Sequence, residues 1–327
     1  MRLHENKQLF RQAIQFTAQQ MNIPDIYIEK DYWVTFVLHT IFHNGIGKES
    51  VFKGGTSLSK CFGLIERFSE DIDLVVLRRK EESNNKLSNK IKEISKVVSA
   101  VLPEVEIQEV TQKMGMNRKT AHTYAKEFKG NYGQVRDVII VEASWLGYFE
   151  PCTTKTVSSY VYTMMVNNGQ ESIATEYGLL PFEVLVLEPV RTLCEKIMSL
   201  VRFSYTEEPI EDLKKKIRHT YDLHQLLQNK ELSAFFDSPA FEVQLVKVAN
   251  DDVVSYKNKN AWLIHHPCKS LIFNDLYAVW SQLRPTYNGD FRNLVFGNLP
   301  DETKVLATLV RIKERLSTIE WPIKIEN

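Results

Sequence analysis

The segment that most restricts this chain is V-F-K-G-G-T-S-L-S-K-C-F-G-L-I-E-R-F-S-E-D-I-D-L-V-V, Val51 to Val76. Its pattern predicts a strand, a Gly-Gly turn, a short helix starting near Thr56 and a second strand. Successive strand residues point to opposite faces, so Asp71 and Asp73 share one face while Ile72, Leu74 and Val76 turn to the core. Two carboxylates side by side on a rigid strand repel each other. A bridging divalent cation relieves that repulsion, and hard oxygen ligands suit Mg2+. Upstream, Gly54-Gly55 stands where strand meets helix, and the missing Cβ atoms let backbone N–H groups approach a phosphate. A phosphate cradle feeding a metal-binding D-x-D is the layout of a phosphoryl- or nucleotidyl-transfer site.

A third carboxylate is expected on a neighbouring strand. Val138-Ile139-Ile140-Val141 is the most strand-like run and reads as central in a sheet. Glu142 ends it, and an ionised group there needs compensation that a metal would supply. A Glu turned to solvent is the competing reading, and Asp137, which opens the strand like a turn residue, is the competing acid. Further on, Leu193, Lys196, Ile197 and Leu200 share one helix face. A lysine on such a stripe calls for a counter-charge, either a nucleotide triphosphate or a nearby acid such as Glu195. Asp222 lies beside Leu223 and Leu226, with Arg218 one turn before it, and spacing alone allows an internal Arg–Asp strut or a catalytic carboxylate.

Around these motifs, periodicity predicts helices over 5–21, 28–42 and 80–102, and extended segments over 105–110, 120–128 and 138–145. A short strand is expected over 183–188, and helices over 190–203, 210–229, 232–249, 268–283 and 301–318. The expected fold class is therefore α+β: a mixed-sheet core over 1–188 with flanking helices, then a helical domain over 189–327. A length of 327 residues accommodates two domains.

Lys+Arg and Asp+Glu number 41 each, so net charge is zero and the chain lacks the excess of positive charge that non-specific coating of DNA needs. A polyanion would need a local patch. The runs Arg78-Arg79-Lys80 and Lys214-Lys215-Lys216 read as solvated faces that could touch an RNA backbone. Cys61, Cys152, Cys194 and Cys268 form no C-x-x-C pair, which fits neither a zinc ribbon nor a disulfide framework. His39 and His43 lack the acid of a metalloprotease helix and read as core-edge residues. The N-terminus carries no apolar signal region, and the longest apolar stretch, Tyr32 to Phe42, is broken by Thr35, His39 and Thr40. The expectation is a reduced, cytoplasmic, soluble protein with no membrane partner.

F-K-G-G-T-S-L-S-K followed by R-F-S-E-D-I-D-L resembles the AbiEii/AbiGii-type nucleotidyltransferase toxins, a branch of the polymerase-beta-like nucleotidyltransferase superfamily. I-E-K-D-Y-W-V-T at 28–35 looks like that family's N-terminal segment. E-P-V-R-T-L-C-E-K-I-M-S-L and R-H-T-Y-D-L look like its later lysine and aspartate motifs, in the expected order. The likeness spans roughly residues 28 to 228. Many members carry an acid directly after the Arg of the last motif, where this chain has His219.

The resemblance implies a polymerase-beta-like core with a C-terminal helical bundle, acting as the toxin of a bacterial toxin–antitoxin or phage-defence pair. By motif match, Gly54-Gly55 and Ser69 would contact nucleotide phosphates and Asp71 and Asp73 would hold Mg2+; Thr56, beside the glycines, is placed with the nucleotide-binding group, and Glu142 is the third metal carboxylate read from its strand. Lys196 would bind the triphosphate, and Asp222 would be an essential acid. It further implies an NTP substrate, an RNA acceptor such as the tRNA 3′ end, and a cognate antitoxin. The same chemistry on a protein or small-molecule hydroxyl, and a catalytically silent NTP- or RNA-binding module, are the alternatives.

Overall fold

The computed structural model describes residues 1–113, 115–130, 135–255 and 260–325. They divide into two compact units. The first comprises Met1–Gly63, Arg67–Trp145 and Cys152–Leu187; the second comprises Leu64–Glu66, Leu146–Pro151 and Glu188–Asn327.

The first unit is built on a seven-stranded mixed sheet. Its strands are β1 (Ser50–Lys53), β2 (Ile72–Val76), β3 (Glu104–Val105), β4 (Asn117–His122), β5 (Ile139–Ser144), β6 (Cys152–Val157) and β7 (Phe182–Leu187). They lie in the order β3-β4-β5-β2-β1-β7-β6. The neighbours β1 and β2 run antiparallel, while β2 and β5 run parallel. Burial on both faces explains why β5 reads as an apolar run: Ile139, Ile140 and Val141 are all buried.

Helices α1 (Lys7–Met21), α2 (Asp25–Phe42), α3 (Gly54–Lys60) and α4 (Asn84–Ser99) belong to this unit. Both α2 and α4 pack on β5, and α3 follows β1 directly. Helix α2 is buried without a break from Ile26 to Thr35, including the charged run Glu29-Lys30-Asp31. Each of the three has its own partner, which is what makes their burial tolerable. Glu29 accepts the N–H groups of Glu127 (2.7 Å) and Phe128 (3.2 Å). Lys30 pairs with Glu70, and Asp31 meets Lys60 at 2.5 Å while accepting Tyr160 N–H at 2.9 Å. These struts fix α2 to the loops that flank the sheet.

Several sequence expectations are corrected here. The extended segment expected over 120–128 is a strand only to His122, because the N–H groups of Glu127 and Phe128 go to the Glu29 carboxylate rather than to a neighbouring strand. That expected over 105–110 is reduced to Glu104–Val105. Periodicity offers no reading of 151–182, where the structure has β6, α5 (Tyr160–Asn167) and α6 (Glu171–Glu176). Strand β6 lies at a sheet edge with Thr154, Lys155 and Thr156 exposed, so it lacks the apolar alternation that would reveal it.

The second unit is helical: α7 (Pro189–Phe203), α8 (Pro209–Lys215), α9 (Ile217–Gln228), α10 (Lys230–Asp237), α11 (Pro239–Ser255), α12 (Leu271–Asn274), α13 (Leu276–Asn288) and α14 (Glu302–Ser317). The helix expected over 210–229 is interrupted at Lys216, and that over 232–249 at Ser238-Pro239, where proline cannot continue a helix. Helix α9 lies against α7, α10 and α14. No helix among the described residues is long and apolar enough to cross a membrane.

Candidate active site

The extended segment leading into β2 alternates in a way that organises the site. Phe68, Glu70, Ile72 and Leu74 are buried, each 2% exposed or less. Phe68 stacks on Tyr27, with centroids 4.6 Å apart, and Glu70 pairs with Lys30 and accepts Arg136 N–H at 3.1 Å. Anchored by these positions, the alternate ones, Arg67, Ser69, Asp71 and Asp73, line up beside the Gly-Gly turn.

The two glycines are explained by what faces them. Gly54 has φ +84°, a conformation that L side chains rarely adopt, and a Cβ there would collide with Asp73 Oδ2. A Cβ on Gly55 would lie 2.7 Å from Arg67 Nη2 and 3.0 Å from Ser69 Oγ. The backbone thus runs against the acids and the guanidinium with no room to spare. Helix α3 starts at Gly54, two residues before Thr56. Thr56 donates its hydroxyl proton to Asp71 O at 2.6 Å, so the 3.0 Å contact with Ser69 is one in which Ser69 donates. The Thr56 hydroxyl therefore ties the helix to the acidic loop and takes up the Ser69 proton, leaving the turn backbone as the donor for a nucleotide phosphate, which Ser69 joins only by turning its proton away from Thr56.

Sheet register sets the acids together. Asp73 on β2 stands opposite Glu142 on β5, and Asp71 lies two residues upstream of Asp73. Asp137, the competing acid, instead pairs with Lys126 at 2.5 Å, with most of its side chain in solvent. Burial, then the charges of Glu142 and Asp71, push the Asp73 carboxyl up to about 7, against the pull of Lys53 and Lys119. Asp71 Oδ1 is buried and takes no hydrogen bond. A buried carboxylate oxygen without a donor is rare and costly. Two acids, one with an orphaned oxygen and the other protonated up to neutral pH, suit a hard cation that takes one or two carboxylates with substrate oxygens. Among the described residues, no three acidic, His or Cys side chains converge as a closed metal cage.

Lys196 and Asp222 are in the second unit, and there they meet each other. Lys196 Nζ on α7 lies 2.7 Å from Asp222 Oδ2 on α9, with the two side chains 7% and 0% exposed. Glu195, the sequence-adjacent acid, is engaged by Arg191 Nε at 3.0 Å. Of the site residues named from sequence, the structure gathers Gly54, Gly55, Thr56, Ser69, Asp71, Asp73 and Glu142 in one unit and pairs Lys196 with Asp222 in the other.

A family model described as the nucleotidyl transferase AbiEii toxin of type IV toxin–antitoxin systems matches residues 37–292. The chain belongs to this AbiEii family. It is a nucleotidyltransferase toxin, and the type IV class implies a nucleotide substrate and an antitoxin partner. A search of curated proteins gives no match. Among solved structures the chain is similar to MenT4, a nucleotidyltransferase toxin from Mycobacterium tuberculosis H37Rv. Identity is 17% and the TM-score 0.49, over 94% of this chain and 98% of that one.

In this AbiEii protein the site also holds residues that sequence patterns did not single out. Arg67 is buried beside Gly55, and its Nη1 donates to Phe68 O at 3.1 Å. Lys53 stands opposite Asp73, and Lys119 opposite Glu142. The R-x-S-x-D-x-D alternation could have flagged Arg67; nothing local could have flagged Lys119, which reaches the site through strand pairing.

The Asp73 carboxyl carries a testable pH signature. The unfolded chain releases its proton near the ordinary 3.8, whereas the folded one holds it to about 7. Ionisation therefore opposes folding increasingly as pH rises through that window, and the stabilisation present at low pH is lost. In EDTA, Asp73→Asn should gain thermal stability relative to wild type from about pH 4 to about pH 7 and level off above. A melting-temperature difference that stays flat with pH would overturn this.

Proposed function

We propose that this AbiEii nucleotidyltransferase transfers NMP from an NTP, with Mg2+, to an RNA hydroxyl, and that the acceptor is the 3′ end of tRNA in the cytoplasm. The observation that carries the metal-dependent part is the Asp71/Asp73 pair beside a Gly-Gly turn, with Asp71 Oδ1 buried and unpartnered. The RNA acceptor and the tRNA end rest on the family resemblance.

Asp71 and Asp73 would hold the metal, with Glu142 as the neighbouring carboxylate. When bound, Mg2+ supplies positive charge that polarises the phosphate and assists the attacking hydroxyl. The chain's own groups do the rest. Gly54 and Gly55 let the turn backbone close against Asp73 and Arg67, the turn N–H groups would face the phosphate oxygens, and the Ser69 hydroxyl would turn its proton from Thr56 to one of them when nucleotide is bound. Struts from Lys30 to Glu70 and from Asp31 to Lys60 keep this geometry rigid. The acceptor hydroxyl gives up its proton to solvent as its oxygen bonds to the α-phosphorus, the bond to the bridging oxygen breaks, and pyrophosphate leaves. By the family resemblance Lys196 would be the cation for the triphosphate, and Asp222, 2.7 Å away, would orient its ammonium.

The test is label transfer from each α-32P NTP to total tRNA with Mg2+. Wild type should label tRNA with one nucleotide, and Asp71→Ala should lose the signal by about 1,000-fold or more with its thermal melt retained. Transfer retained in Asp71→Ala would sink the metal assignment. Label on protein or on a small molecule, with none on tRNA, would move the acceptor.

A further inference from the structure

Four neighbouring strands place charged residues in a single row. Lys119 on β4 stands opposite Glu142 on β5, Glu142 opposite Asp73 on β2, and Asp73 opposite Lys53 on β1. Directly opposed residues lie on the same sheet face and within reach of each other. The row reads plus, minus, minus, plus, and each member is partly accessible.

The acids gathered at this row are not equivalent. Glu142 has both oxygens engaged: Oε2 lies 3.1 Å from Lys119 Nζ, and Oε1 accepts from Asn117 Nδ2 at 3.1 Å. Asn117 and Lys119 are alternate residues of one strand, so they grip the carboxylate together. Asp71, next to the other acid, has an oxygen with no donor at all. The Lys119 ammonium therefore stands against one oxygen of a carboxylate whose other oxygen is already filled by the Asn117 amide. A divalent ion on Glu142 would have to enter beside that ammonium, and two cations on one carboxylate repel strongly where water is thinned out. Mg2+ also gives up its water reluctantly, so an occupied carboxylate is a poor site for it.

We propose that Lys119 is a resident counter-cation that keeps Glu142 out of divalent-metal coordination, so that the nucleotide-free protein takes up one divalent ion, on Asp71 and Asp73, rather than two. The proposal rests on the metal-dependent reading above and adds its stoichiometry. Lys119 thereby sets the number of ions present before substrate arrives, and Lys119→Arg, which keeps the charge, preserves that number.

The experiment is Mn2+ titration of the full, nucleotide-free chain, read by the electron paramagnetic resonance signal of free Mn2+. Wild type and Lys119→Arg are expected to bind one ion and Asp71→Ala none above background. Lys119→Met is expected to bind two, or one at least tenfold more tightly. Lys119 is partly exposed, so the replacement should fold; Lys119→Gln, expected to behave alike, is the second variant should Lys119→Met melt early. Two ions on wild type, or one unchanged ion on both neutral variants, would overturn the role of Lys119 while leaving the Asp71/Asp73 site standing. No uptake by wild type, or uptake that Asp71→Ala leaves untouched, would overturn the metal reading itself and this inference with it.

Discussion

Asp222→Leu should lower stability by about 3–5 kcal/mol, and adding Lys196→Met should recover more than half of that loss. The two groups lie 2.7 Å apart with almost no solvent access. Removing the acid strands an ammonium on a helix face it shares with the buried Leu193, Ile197 and Leu200. Desolvating that charge without its partner costs several kcal/mol, whereas replacing both groups with apolar side chains of similar size removes the problem. Urea unfolding of the full chain followed by far-UV circular dichroism measures all three proteins. Nucleotide transfer should not follow stability. With Lys196 as the cation for the triphosphate, the double variant stays inactive although it is stable again. A double variant that regained transfer would show the pair to be a strut and nothing more.

Gly54→Ala should cut nucleotide transfer by about 100-fold or more and cost roughly 1–3 kcal/mol of stability. Two effects combine there. Backbone at φ +84° strains any L side chain, and the new methyl would displace the Asp73 carboxylate. Gly63→Ala separates them. Gly63 also has a positive φ, +60°, but nothing lies within 4 Å of its would-be Cβ. That variant should carry the backbone strain and keep its transfer rate. Equal losses of transfer in the two would mean that strain, not the collision with Asp73, is responsible. Gly55→Ala should fall between them, because the nearest atom it meets is the end of the Arg67 side chain at 2.7 Å.

The legible parts of the site were those written locally. Asp71, Asp73 and the two glycines sit within one strand–turn–helix–strand segment, so alternation and the missing Cβ atoms place them directly. Glu142 could be found because a charged residue at the end of an apolar strand needs a reason. What surrounds it could not: Lys119 and Asn117 reach it through β4–β5 register, and register between strands is not a local property. Pairing between helices behaves the same way. Spacing offered Glu195 as a partner for Lys196, because only neighbours on one helix are visible to a periodicity argument. The structure joins Lys196 to Asp222, from α7 to α9. Buried charge misled in a similar manner: Glu29, Lys30 and Asp31 lie inside a helix that periodicity marks only as apolar, since their partners lie far away in sequence.

The charge row spanning β4, β5, β2 and β1 also has a meaning for how such a toxin is born. Its members come from residues 53, 73, 119 and 142, so the acids meet only after the ribosome has delivered β5 and the sheet has closed in one register. A shift of β2 by one residue would present Ile72 or Leu74 where Asp73 belongs. A chain cut short before residue 139, or one that pairs its strands wrongly, contains the conspicuous motif without the charge row around it. The arrangement exists only in finished, correctly assembled molecules, and long-range pairing of this kind assembles slowly.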